Sequence, residues 1–145
     1  MKKIKYLILI SLFLCTGCFG SVGDGYLEKT CTKQETINGI IYNLSIKLEH
    51  KDNVILKLVI SESYEINNAD SNLLEPYKLA LKSQNNSYQN DNGIKVTINA
   101  DNNSLYSYTY TIDPTLVKET NLTRLDIETD YFKMIEKYGK TMTCK

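Results

Sequence analysis

The chain has 145 residues, with 17 Lys+Arg against 17 Asp+Glu, which is one ordinary domain at most. Lys2, Lys3 and Lys5 precede an apolar run, so the rest of the chain is mildly acidic and lacks the basic face that non-specific nucleic-acid binding requires. With 42% apolar residues it buries a real core and is not a disordered tail.

Met1 to Lys5 forms a positive n-region and Tyr6 to Leu14 an apolar h-region. That stretch is too short to span a bilayer, which takes about 20 residues, and it has the anatomy of an export signal. Cys15-Thr-Gly-Cys18 follows, and the Thr16-Gly17-Cys18 ending resembles a bacterial lipobox, although Cys15 stands where that motif usually carries Leu. The resemblance implies removal of residues 1–17 and acylation of the Cys18 thiol. Two acyl chains hold a protein stably on a membrane where one does not. The alternatives are an uncleaved signal anchor or an ordinary signal cut near Gly20 or Ser21. Residues 18–26, rich in Gly, then serve as a flexible tether, and residues 27–145 make a single α+β domain.

Once Cys15 and Cys18 are assigned to the signal and the anchor, Cys31 and Cys144 are left. Export makes a disulfide between them the expected state, with two buried thiols as the alternative. The bond would join residues 113 positions apart and tie the first strand to the chain end.

Leu27 to Thr36 reads as a polar first strand, and Asn38-Gly39 as a type I′ hairpin turn. Ile40, Tyr42, Leu44, Ile46 and Leu48 alternate with polar or outward positions, as do Val54, Leu56, Leu58 and Ile60 after a turn at Lys51-Asp52-Asn53. This predicts a three-stranded meander whose third strand continues in polar form through Glu65. Leu73, Leu74, Tyr77, Ala80 and Leu81 recur at spacings of three and four, predicting a helix over 71–83 with Pro76 in its first turns. Asn85 to Asn92 reads as a polar loop, Ile94 to Ile98 as a fourth strand, and Tyr106 to Ile112 as a fifth. Asp113-Pro114 ends that strand. A second helix is expected over 128–138, with Tyr131, Met134, Ile135 and Tyr138 inward and Gly139 as a left-handed stop. Met142 and Cys144 close the chain in a short strand. The expected fold is therefore α+β, an antiparallel sheet in the order β-β-β-α-β-β-α-β with two helices on one face.

The lipobox, the linker, Thr30-Cys-Thr-Lys33 opening a meander and the closing Thr143-Cys-Lys145 together resemble the small bacterial lipoproteins of the YehR-like kind. That family has no assigned activity, so the resemblance implies fold and anchoring and supplies no catalytic residue.

Candidates for chemistry are few. Tyr106, Tyr108 and Tyr110 share one strand face; they are either ligand contacts, stacking on a sugar or peptide, or core residues beneath the helices. His50, the lone His, reads as a surface residue flanking a turn. Asp126, Glu128 and Asp130, with Glu119 nearby, read as helix-start carboxylates, with Asp126 or Thr129 as N-cap. Asn90-Asp91-Asn92-Gly93 and Asp101-Asn102-Asn103 read as turns. No catalytic residue, metal site or cofactor is assigned. The function expected is a lipid-anchored module on the extracytoplasmic side of a cell membrane, non-enzymatic, engaging an extracytoplasmic ligand or envelope protein and no nucleic acid. The alternative is a small envelope hydrolase working through carboxylates or a thiol.

Overall fold

The computed structural model describes residues 25–66 and 73–145; Cys18 and the export segment lie outside them. The chain order is β1 (Leu27–Ile37), β2 (Ile40–Lys51), β3 (Val54–Ile66), α1 (Glu75–Ser87), β4 (Ile94–Asp101), β5 (Leu105–Ile112), α2 (Glu119–Arg124), α3 (Tyr131–Gly139) and β6 (Thr143–Cys144). The strands form one six-stranded sheet in the order β4-β5-β3-β2-β1-β6, each neighbouring pair antiparallel. Asn38 and Gly39 both have positive φ, as the β1–β2 turn demands.

Because side chains alternate across a strand, the register defines rows of residues on one face. One row runs across the whole sheet: Cys144, Cys31, Ile46, Ile60, Tyr110 and Val96. The rows on either side carry Leu48, Leu58, Ile112 and Ile94, and Leu44, Glu62, Tyr108 and Ile98. All three lie on the face that the helices cover. A register shift between Ile98 and Ala100 then turns Asp101 inward, opposite Tyr106. The other face carries small polar residues, among them Ser45, Ser61 and Thr109, with Ser61 and Thr109 hydroxyls 3.1 Å apart.

The cover consists of three helices among the described residues, which corrects the expectation of two. The added one, α2, has six residues, too few for an apolar period to show in sequence. It is held by polar chemistry instead. Buried Asp91 accepts from the Gly93 N–H (2.9 Å), the Lys118 N–H (3.2 Å) and the Asn121 amide (2.7 Å), so the turn at 90–93 is also a staple onto α2. Burial would raise this carboxyl, but the Asn121, Gly93 and Lys118 donors outweigh it and hold it below the usual carboxylate range. Gly93 passes so close to this segment that an added Cβ would stand 2.4 Å from the Val117 nitrogen.

The first helix runs Glu75–Ser87, later than expected. Its inner stripe is Leu74, Lys78, Leu81, Asn85 and Tyr88, and two of these five are polar. Lys78 is buried against Glu75 (2.8 Å) and Asp101 (3.1 Å), while Leu73 and Tyr77, read as inward, are partly exposed. α3 begins at Asp130, whose carboxylate accepts from the Lys133 N–H (2.9 Å), so Asp130 and neither Asp126 nor Thr129 is the cap. The helix runs on through Gly139 without a left-handed stop, since Lys140 caps it in right-handed geometry. The β2–β3 turn pins its start: the Asn53 carbonyl and side chain take the Tyr131 and Phe132 N–H groups.

Cys31 and Cys144 are bonded to each other across a pair that exchanges no backbone hydrogen bonds, with Cα atoms 4.0 Å apart. That is the antiparallel site where side chains approach most closely. Closing so long a loop is worth ~4–5 kcal/mol at most. Replacing Cys31 by Ser should lower the melting temperature by roughly 10 °C; an unchanged melting curve under oxidising conditions would show that the bond is not formed in solution. Asp91→Ala should cost about 2–4 kcal/mol in chemical denaturation, because it strands three donors, two of them buried. The Asp91 contribution is present above the ordinary carboxylate value and fades as pH falls towards its depressed folded one. The gap between wild type and Asp91→Ala should therefore narrow in acid.

Candidate functional site: a carboxylate among tyrosines

Glu62 is the inward carboxylate of a central strand. Its row places Leu44 on one side and Tyr108 on the other, and the adjacent rows bring Tyr42, Tyr64 and Tyr110 around it. Tyr42 and Tyr64 both donate to its Oε2, at 3.1 and 2.9 Å, and Tyr108 stands directly opposite it in the register. Their rings pack together, with 5.0 Å between the centroids of Tyr42 and Tyr64 and 5.0 Å between those of Tyr108 and Tyr110. No Lys, Arg or His pairs with Glu62 among the described residues.

A cavity of about 160 Å³ opens beside this carboxylate. Tyr42 and Tyr110 line it from the sheet, Tyr138 from α3, and Leu125 and Asp126 from the turn between α2 and α3. Asp126 takes positive φ there, and its carboxylate and carbonyl are both engaged by the Lys137 ammonium. Burial first, and then the Glu62 charge, pushes the hydroxyls of Tyr42, Tyr64, Tyr108 and Tyr110 well above the ordinary phenol range. Burial and the Asp126 charge do the same for Tyr138. The phenols are thus fixed as proton donors, and with Asp126 paired to Lys137 the carboxylate left without a cation is Glu62, in aromatic and aliphatic surroundings.

A larger groove, about 820 Å³, runs along β1, β2 and β3 and reaches Lys140–Thr143. Its polar groups already satisfy one another: Gln34 donates to Asn43 (2.7 Å) and Asn43 to Ser63 (3.1 Å). Its two lysines are also paired, Lys33 with Glu35 and Lys140 with Glu136. The unmatched charge is in the smaller cavity.

Of the residues singled out in the sequence, Tyr108, Tyr110 and Asp126 border this site and the others fall elsewhere. Tyr106, Tyr108 and Tyr110 are buried, at 0, 1 and 1% exposure, with their rings inside the sheet–helix interior. Asn85 of α1 joins two of them, donating to the Tyr106 hydroxyl (3.2 Å) and accepting from that of Tyr110. Of the three, Tyr110 reaches the cavity wall. His50 is buried, correcting its reading as a surface residue: its Nδ1 donates to the Asp52 carbonyl (3.0 Å) and its ring stacks on Tyr131 at 3.5 Å. Asp126 and Asp130 serve separate local roles, and among the described residues no group of His, Cys, Asp and Glu is arranged to hold a metal. Glu62, Tyr42, Tyr138 and Asn85 carry no site motif in the sequence, although the periodicity does place Tyr42 and Tyr138 inward. The signal for Glu62 was parity, since it follows Leu58 and Ile60 on the inward register of its strand.

Tyr42, Tyr64, Tyr106, Tyr108, Tyr110 and Tyr138 all have folded values raised above the free phenol. The unfolded chain gives up these protons first, so stability is full below about pH 10 and falls as pH rises, at about 1.4 kcal/mol per unit for each phenol. Far-ultraviolet circular dichroism and tyrosinate absorbance, followed together, should show the six ionising in one step with unfolding near pH 11–12. Full tyrosinate absorbance in a chain that is still folded would contradict their burial.

No protein-family model matches the chain, and no curated protein matches it. Among solved structures, it is similar to the E. coli YehR protein, at TM-score 0.61 and 15% identity over 83% of this chain and 92% of that one. It is also similar to a protein from Streptococcus pneumoniae TIGR4, at TM-score 0.55 and 13% identity over 83% of this chain and 85% of that one. At these identities the likeness is one of fold.

Proposed function

We propose that the protein is a lipid-anchored binding module on the extracytoplasmic side of a cell membrane, held there by acyl groups on Cys18. The observation that carries this reading is the Cys31–Cys144 bond, a covalent tie between the first and last strands. Such a bond persists in an oxidising compartment and is reduced in the cytosol. The apolar run before Cys18 supplies the route to that compartment. Within the domain, a small cavity lined by the Glu62 carboxylate, protonated phenols and aliphatic side chains supports this reading, as a site suited to holding a ligand.

Intact mass of the membrane-extracted protein, before and after reduction, tests the reading. A chain beginning at Cys18 that carries acyl mass and gains two hydrogens on reduction is expected. Cys18→Ser should leave unprocessed precursor or release the protein from membranes. A wild-type chain without lipid, or unchanged processing and retention of Cys18→Ser, would overturn the anchor.

A further inference from the structure

We propose that the cavity beside Glu62 binds a small organic cation, a primary or quaternary ammonium group bearing a few carbon atoms. The argument begins with charge. The Glu62 carboxylate has no cationic partner among the described residues, and the phenols around it are neutral donors. Asp126 at the rim is matched by Lys137. The cavity therefore holds one uncompensated negative charge, and a ligand of charge +1 completes it.

The walls decide what kind of cation fits. A hard metal ion takes six or more oxygen ligands; here Glu62 stands among Leu44, Ile46, Ile60 and Leu125 with phenol protons already directed at its Oε2, and the other lining carboxylate, Asp126, is taken by Lys137. Aliphatic and aromatic walls instead favour a cation that carries its own apolar surface. Tyr rings attract ammonium groups through their electron-rich faces, the chemistry by which aromatic cages recognise quaternary amines. Size agrees. Water occupies about 30 Å³ in the liquid, so the space takes roughly five heavy atoms, as in tetramethylammonium or butylammonium. Access lies past the Leu125–Asp126 turn, where the Lys137–Asp126 pair sits at the rim.

The proposal gives the binding module a ligand class and rests on that part of the reading, while owing nothing to acylation of Cys18. Its test is calorimetric and NMR titration of the full chain in detergent with tetramethylammonium and butylammonium chlorides at low ionic strength. tert-Butanol serves as the neutral control of similar size, and sodium chloride controls for ionic strength. Saturable one-to-one binding of the organic cations is expected, with neither control competing. Glu62→Gln should weaken binding about tenfold or more, because it removes the charge while keeping an acceptor for the Tyr42 and Tyr64 hydroxyls. Should that variant fail to fold, Leu125→Phe, which fills the cavity from the turn, should abolish binding in a folded chain. No saturable binding by the wild type, equal binding of tert-butanol, or full affinity in the folded variants would overturn the proposal. Such a failure leaves the anchor intact, since that is read by mass alone; an unlipidated chain that binds the cations would separate the two in the other direction.

Discussion

Phenol hydroxyls in an interior need partners, and this need organises the molecule. Tyr42, Tyr64, Tyr106, Tyr108 and Tyr110 stand on the covered face of three adjacent strands. A tyrosine ring brings large apolar area to a core, but its hydroxyl is costly if left unpaired. Two polar side chains meet most of the demand from opposite sides, while the buried Tyr88 hydroxyl finds no partner among the described residues. Glu62 receives Tyr42 and Tyr64 from within the sheet, and Asn85 joins Tyr106 and Tyr110 from the helix above. The position of α1 follows from this, because the helix must present an amide, and beside it the buried Lys78, to the sheet. An aliphatic core would have left the phase of that helix to hydrophobic periodicity alone.

The same chemistry explains which parts of the fold were legible. The meander, the β4–β5 hairpin and the closing strand could be read because alternation and the Asn38-Gly39 turn report directly on strands. Cysteine arithmetic was equally direct for the Cys31–Cys144 pair. The helices were harder, since their inner faces are partly polar. Lys78 and Asn85 sit where an apolar residue is expected, so the apparent stripe rotated towards Leu73 and Tyr77 and the helix was drawn too early. α2 left no periodic trace, and its anchor is the buried Asp91, a residue type that reads as a turn until the tertiary structure brings Asn121 to it.

The site was less legible than the fold, for a related reason. Glu62 lies in a stretch, Ser61 to Glu65, that looks like a polar strand end. Its inward direction is a matter of register, and its neighbours Tyr42, Tyr108 and Tyr138 come from three other elements. Alternating tyrosines on one strand drew attention to the right face of the right strand. Whether that face was covered depended on helices whose phase could not be read. His50 shows the same effect: its parity with Leu48 pointed inward, and the ring that buries it, Tyr131, lies 81 residues further along the chain.

The cross-link between β1 and β6 also has a mechanical meaning. Tension on the chain before Leu27 enters the domain through β1, whose ladder with β2 runs from Leu27 opposite His50 to Ile37 opposite Ile40. A pull along that strand loads its hydrogen bonds in parallel, the arrangement in which they resist together. Where the end of β1 does peel away, extension halts at Cys31, because the sulfur bridge passes the load to Cys144 and from there towards α3. The region bounded by β2, β3 and α3, where Glu62 and its tyrosines sit, is shielded from extension by a covalent stop only four residues inside the first strand.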